Sequence, residues 1–527
     1  MVALAVCPSA RNGSPPDRSA PPRPSTVLVL LPVLESARFL ASLTVATDPA
    51  RIDCMNDHQP KPRVAIAGAS GFIGSALCPL LAERFEVIAL TRSPARAATP
   101  DPAGLIQWRH CDLFCSSALV SGLADIDYAV YLVHSLAPSS RLTQASPRDM
   151  DLVLADNFAQ AAAHNGVKQI VFVSGVMPES FRFSPLLWSR REVEMVLGSR
   201  GTPVTALRAS LVMGPGGTGP RLLLDLVRRL PLLLLPPAAG SSTRPIAVSD
   251  LVRAILHCLG QPERFRGAFD IGGAESLSYE AMLRETAAVL GLRRRFLKVP
   301  ALPVGLASLT ARAVSGAPAA MVGAIIESLP QDTRMRDNPV QQAIAPQALC
   351  FRAALKASID PVSGRLLPSP RQRLKGQDRE VMREQSLVRS IQRAILPPGQ
   401  DAAWLAGNYF RWLGSCCWPL VRGQIADNGD VEVWSRLPRL KMLALRRMTQ
   451  ESTPERQLYE ISGGLLARPG PGRARFEFQT LLDGRYTMTA IHDYAPALPW
   501  YLYMLTQAVA HRLVMRRYQS RLARLAR

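Results

Sequence analysis

From residue 63 onward, short and nearly unbroken apolar runs alternate with stretches in which apolar residues return every three or four positions. The runs read as strands buried on both faces, and the spaced stretches as helices with one face on a core. Runs at 63–67, 87–90, 104–109, 127–134, 167–174 and 203–210 predict six strands. Leu77, Leu80 and Leu81 mark one helix face between them, and Leu152, Ala155, Phe158, Ala159 and Ala162 mark another over 150–165. Strand alternating with helix predicts an α/β fold, a doubly wound parallel sheet of the Rossmann type. Helices over 251–259 and 279–290 and a short strand at 269–273 extend this first part.

The pattern then changes. Residues 299–329 carry Ala, Val, Leu and Pro with almost no charge, and predict two short helices broken at Gly316-Ala317-Pro318. They read either as core helices or as an apolar lid over a cleft. The Leu-rich stretch 222–235 is interrupted by Pro231 and is too short to span a membrane. Residues 334–400 lack periodicity and carry Pro361, Pro368, Pro370, Pro397 and Pro398, with a charged run at 371–383, so they read as a linker. A helix over 401–413, alternating strands at 457–467, 473–481 and 485–492, and a hairpin signal at Asp483-Gly484 predict a smaller α+β domain over 401–527. Residues 500–527 read as one long helix. Residues 1–60 show no such order. Pro and Ser cluster early, and the apolar runs near 26–33 and 39–46 are split by Pro32, Glu35 and Arg38, which argues against a signal peptide. Because the fold needs nothing before residue 61, this extension is expected to be disordered or dispensable, with translation starting at Met55.

The richest chemistry lies where the first strand meets the first helix, in Gly68-Ala69-Ser70-Gly71-Phe72-Ile73-Gly74. Gly68 permits a tight turn, Gly71 a close backbone approach to a pyrophosphate, and Gly74 close packing of helix on strand. The helix N-terminus offers free N–H groups to phosphate. An acidic residue at the end of the second strand would hold a ribose 2′-hydroxyl, but this chain has Thr91-Arg92 there. Arg92 suits a 2′-phosphate, so NADP is expected, with NAD as the alternative.

The spacing G-x-x-G-x-x-G resembles the short-chain dehydrogenase/reductase superfamily, and G-A-S-G-F-I-G looks like its extended, epimerase- and dehydratase-like branch. The resemblance covers residues 61–333. It places Asp112 and Leu113 at the adenine. It makes Ser174, at the end of the fifth strand, the Ser that works with a Tyr and a Lys spaced Y-x-x-x-K on the next helix. In that helix, S-P-L-L-W-S-R-R, Leu186 takes the Tyr position and Arg190 the Lys position. Leu transfers no proton and Arg is no base. This departure resembles the atypical NAD(P)H-binding branch that includes NmrA-like proteins, of which some are reductases and others only sense the cofactor. The two-part layout looks like long bacterial members with an uncharacterised C-terminal domain. The resemblance implies an oxidoreductase that moves hydride between NADPH and an apolar carbonyl or enone. The alternative is a dinucleotide sensor with an apolar-ligand site in the C-terminal domain, whose order of elements resembles helix-grip domains. Ser174, Arg190 and His134 are then the catalytic candidates, with Tyr131, Ser135 and Glu192 nearby.

Composition narrows the partners. The net charge is +21, and residues from Arg334 onward contribute 30 Lys/Arg against 15 Asp/Glu. No nucleic-acid motif accompanies this bias, so no nucleic acid is expected, and a solvated Arg-rich surface explains it. The last helix carries Arg512, Arg516, Arg517, Arg521, Arg524 and Arg527 in its second half. Packing on its own sheet is the first reading, and peripheral membrane contact the second. Nine Cys form no C-x-x-C pair, and no His/Cys cluster accompanies Cys111 and Cys115, so no metal site is expected. An odd Cys count beside a nucleotide-binding fold points to the cytoplasm.

Overall fold

A computed structural model describes residues 60–135, 142–178, 183–300, 302–369, 388–416, 421–468, 474–482 and 484–527. The N-terminal extension, Asp483 and the charged run at 371–383 lie outside them. The predicted apolar runs form one parallel sheet: β1 (Arg63–Ala67), β2 (Glu86–Thr91), β3 (Ile106–His110), β4 (Tyr128–Tyr131), then, after the short β5 (Leu142–Gln144) in another sheet, β6 (Gln169–Gly175), β7 (Val204–Ala209) and β8 (Gly267–Ile271). Their spatial order is β8-β7-β6-β4-β1-β2-β3. The order reverses between β1 and β4, which is the switch point where such sheets take their ligands.

Helices cover both faces. α1 (Phe72–Leu81), α2 (Pro147–His164), α3 (Pro185–Leu197) and α4 (Val248–Cys258) are the ones that position the site. α2 and α3 start at Ser146 and Ser184, whose side chains accept from N–H groups of the first turn, each followed by a Pro at the first helical position. The helices α5 (Val304–Val314) and α6 (Ala319–Ser328) form as expected. Ala311, Val322 and Ile326 pack with Leu222, while Leu306 and Leu309 of α5 stay exposed.

The stretch read as a linker is partly structured. α7 (Pro339–Ile344) buries Val340 and Ile344 against the first core, and α8 (Phe351–Lys356) buries Phe351 and Leu355 in another. Both helices have only six residues, too few for a periodic signal. Ser369 then reaches α1, with its Oγ 2.6 Å from that of Ser75.

The second domain opens with β9 (Val388–Ile395) and α9 (Ala402–Cys416). Six antiparallel strands follow: β10 (Val421–Ile425), β11 (Val431–Ser435), β12 (Lys441–Arg447), β13 (Arg456–Gly463), β14 (Arg475–Leu481) and β15 (Tyr486–Tyr494). The sheet order is β10-β11-β12-β13-β14-β15-β9-β5, so a strand of the first domain forms one edge. α10 (Trp500–Leu505) and α11 (Gln507–Leu525) close the chain. The single long helix expected over 500–527 is thus bent at Thr506, whose φ of −118° and ψ of −80° are not helical.

Every residue of β14 is buried. Phe476 and Phe478 face α9 and α11, packing with Tyr409, Phe410, Met515 and Tyr518. These aromatic rings fill the layer between sheet and helices where an apolar ligand was expected. The other face of the sheet lies on the first domain, where Ile391, Met488 and Ala490 share one core with Phe158 of α2. Arg475, Glu477 and Gln479 alternate with the two Phe residues and are buried too. Two of them find partners at close range: Glu477 pairs with Arg456 at 2.6 Å and with His492 at 3.0 Å, and Gln479 donates to Asp156 of α2.

Candidate functional site

The glycine loop takes the shape its spacing demands. Gly68 has φ +95°, and a Cβ there would press on Leu132 of the neighbouring strand end. A Cβ on Gly74 would strike the Gly68 carbonyl oxygen and lie 2.7 Å from Ala69 Cα. Both obstacles are backbone, so they cannot turn aside. Gly71 is the N-cap of α1 and supplies no side-chain cap, and the first turn carries no acidic residue. The first N–H groups of a helix have no partner within it. Set at the carboxyl end of β1, this uncapped turn fits the diphosphate of a dinucleotide. Ala69, Ser70, Phe72 and Ile73 complete the loop.

Arg92 follows β2 directly and is exposed. Ser93 caps the short helix Pro94–Ala97, and Arg96 within it is buried with its guanidinium over the Trp108 ring. Asp112 follows β3. Its Oδ1 accepts from the Phe114 N–H at 3.1 Å, and its Oδ2 from Arg389 of β9 at 2.5 Å. Burial alone would raise this carboxyl, but Arg389, the Phe114 amide and Arg92 together hold it below the usual carboxylate range. Leu113 is buried in the core between the domains, and its carbonyl accepts from Asn157 at 3.1 Å.

Ser174 lies at the carboxyl end of β6, two residues past the Tyr131–Phe172 pair that joins β4 to β6. It is buried, and its Oγ has no partner among the described residues. The same holds for the hydroxyls of Tyr131 and of Ser189 on α3. Burial, with a smaller push from Asp151, raises the Tyr131 hydroxyl far above its ordinary value. Its ring packs against Phe158 and Phe172, which makes it a core residue.

Arg190 does not stand free for a ribose. It is ion-paired with Asp151 of α2, and its guanidinium lies over the Phe172 ring. The other oxygen of Asp151 accepts from the Ser135 N–H at 2.6 Å. One carboxylate therefore ties α2, α3 and the loop after β4 together. His134, on that loop, is exposed. Glu192 is buried between Arg148, at 2.7 Å, and Arg393, at 2.8 Å. Burial works to raise its carboxyl, yet the two guanidinium groups hold it below the usual range, so Glu192 is no proton donor. Leu186 offers no donor either.

The sequence reading missed Asp151, Arg389 and Arg393. Asp151 stands among apolar neighbours on the buried stretch of α2, and a carboxylate on such a face demands a partner. The two Arg residues carried no such signal, because their partners lie 277 and 201 residues away.

Comparison with known proteins bears on the same region. Residues 68–223 match a family described as NAD(P)H-binding. Auxiliary protein GraX of Staphylococcus aureus (strain NCTC 8325 / PS 47) is 34% identical over 146 residues, which are 27% of this chain and 43% of that protein. The match therefore spans less than half the length of this relative. Among solved structures, a nucleoside-diphosphate-sugar epimerase of Staphylococcus aureus superposes with a TM-score of 0.45 at 15% identity, over 55% of this chain and 98% of the other. An NADPH-dependent quinone oxidoreductase of Escherichia coli gives 0.43 at 17%, over 55% and 98%. The triphenylmethane reductase of Citrobacter sp. in complex with NADP(H) gives 0.44 at 16%, over 56% and 99%. The glycine loop, the parallel sheet that carries it and the family match coincide on one segment: the chain contains an NAD(P)H-binding domain.

Proposed function

We propose that the protein is an NADPH-dependent reductase acting on an apolar carbonyl or enone. The observation that carries this reading is the buried, unpartnered Ser174 hydroxyl, set on the same carboxyl edge of the sheet as the glycine loop. A buried hydroxyl without a partner costs free energy unless a ligand satisfies it. The loop from Gly68 to Gly74 and the first turn of α1 would hold the diphosphate, Arg92 the 2′-phosphate, and the Asp112 carboxylate the adenine amino group. Bound NADPH supplies the hydride. Ser174 donates a hydrogen bond to the reacting oxygen and polarises it. The balancing proton comes from solvent, with exposed His134 as its proposed relay. Arg190 acts at one remove: through Asp151 it fixes the loop that carries His134 and Ser135.

A second reading is a dinucleotide sensor without turnover. Leu186 in place of an acid/base Tyr, and the commitment of Arg190 to Asp151, favour it.

The test is a titration of the purified protein with NADPH and NADH, for wild type and Arg92→Ala, followed by NADPH oxidation with a panel of apolar carbonyls and enones. Preferential NADPH binding that Arg92→Ala weakens at least tenfold, with a reduced product from some substrate, supports the reductase. Binding without turnover across the panel supports the sensor. Equal affinity for the two nucleotides in both proteins removes Arg92 from the role assigned to it.

A further inference from the structure

The last two helices bury one side and leave the other bare. Tyr503, Ala508, Met515, Tyr518 and Leu522 pack on the C-terminal sheet and α9. On the opposite side Trp500, Tyr501, Leu502, Leu505, Val509 and Leu513 are each between 40 and 73% exposed. Single exposed apolar residues are ordinary, but six within fourteen positions form a patch. Two are Trp and Tyr, whose amphipathic rings favour a boundary between water and an apolar phase.

The same face changes character along α11. Val509, Leu513, Arg516, Ser520 and Arg524 follow one another at helical spacing and so share one stripe. Arg512 and Arg517 flank it and are exposed. No Asp or Glu occurs from Trp500 to Arg527, against six Arg. Beside the stripe, Arg516, Arg517, Ser520 and Arg524 line an open cleft of about 400 Å³ with Trp412 and Cys416 of α9. Guanidinium groups meet phosphate in a planar, two-bond geometry. An apolar patch and a phosphate-suited cleft thus adjoin on one helix face. Among the described residues no helix is long and apolar enough to cross a membrane.

We propose that this face docks on an anionic phospholipid bilayer. Trp500, Tyr501, Leu505, Val509 and Leu513 enter the headgroup boundary, and the Arg516–Arg517–Arg524 cleft receives a lipid phosphate. The sign of the charge selects the partner: acidic lipid surfaces attract such arginines, with each adding a similar increment to binding. The proposal is independent of the coenzyme reading, since its residues belong to α9, α10 and α11 alone.

Flotation of the full-length protein with vesicles tests it. Vesicles of phosphatidylglycerol mixed with phosphatidylcholine are compared with phosphatidylcholine alone, at low and raised salt. Two variants are run, Arg516→Gln/Arg517→Gln/Arg524→Gln and Leu505→Ser/Val509→Ser/Leu513→Ser, both at exposed positions. Coenzyme binding and thermal melting check that each remains folded. The expected result is binding to the acidic vesicles only, weakened by salt, reduced roughly a hundredfold in the arginine variant and also lost in the apolar variant. Failure to float with acidic vesicles overturns the proposal, as does flotation that neither variant alters. Light scattering that gives a dimer which the apolar variant splits, without vesicle binding, assigns the face to a second copy of the chain and also overturns it.

Discussion

The Arg389 guanidinium, on the first strand of the C-terminal domain, lies 2.5 Å from the carboxylate of Asp112, at the end of the third strand of the nucleotide-binding sheet. It also reaches Asp493 at 3.0 Å and stacks on the Phe114 ring at 4.5 Å. One cation therefore serves two carboxylates from opposite sides of the boundary between domains. The proposed adenine contact is held in its charged form by a residue that does not belong to the nucleotide-binding domain.

Arg389→Met keeps much of the packing against Phe114 but leaves Asp112 and Asp493 without their shared partner. Removing one member of a buried ion pair typically costs about 3–5 kcal/mol. Urea unfolding is expected to show a loss of that order, and NADPH affinity to fall about tenfold, equivalent to about 1.4 kcal/mol. Unchanged affinity beside lower stability would show that the contact is structural and that Asp112 does not serve the adenine.

The nucleotide-binding half of the chain was legible because each of its signals is local. A strand buried on both faces is a run of apolar residues, and a glycine that must avoid its own backbone, such as Gly74, is visible in a seven-residue motif. The C-terminal half hides its logic. β14 alternates Phe476 and Phe478 with Arg475, Glu477 and Gln479, which reads as a strand with one wet face. That face is dry, because α2 and its neighbours cover it and their charges satisfy it. Strands β10 and β12 went unread because their half-buried residues include Gly423 and Arg447 among apolar ones, in no strict period. The bend at Thr506 has no Pro or Gly to announce it, and only tertiary packing places it.

Acid should loosen the C-terminal domain before it reaches the carboxylates. His511 sits on α11 with its Nε2 3.0 Å from the Ser390 hydroxyl, and burial pushes it from 6.5 down to about 4. Between these values the unfolded chain takes up a proton there and the folded chain does not. Stability from this group is thus complete above about pH 6.5 and declines as pH falls toward about 4, by an amount on the order of 2–3 kcal/mol. His511→Gln keeps an N–H for Ser390 and removes the titration. Chemical unfolding from pH 7.5 to 4.5 is expected to give a shallower slope for the variant. Parallel slopes would place the acid sensitivity elsewhere, with Glu477, held far below its ordinary range by Arg456 and His492 despite its burial, as the next group to substitute.

Ser174 separates a site from a scaffold by the sign of its effect. Its hydroxyl is buried and makes no hydrogen bond among the described residues, so it weakens the folded state when no ligand is present. Ser174→Ala removes that cost, and is expected to leave the protein equally stable or more stable by about 1 kcal/mol. NADPH affinity should hold, since the residue belongs to β6, where it pairs with Arg208 of β7, and not to the glycine loop. Turnover on whichever carbonyl the panel identifies should fall about a hundredfold, the usual loss when one donor to a reacting oxygen is removed. A variant that is more stable, binds coenzyme as before and turns over poorly shows a group kept for chemistry against the interest of the fold. A variant that loses stability, with turnover falling only in proportion, would show instead that the hydroxyl supports the end of β6, and the reacting oxygen would need another donor.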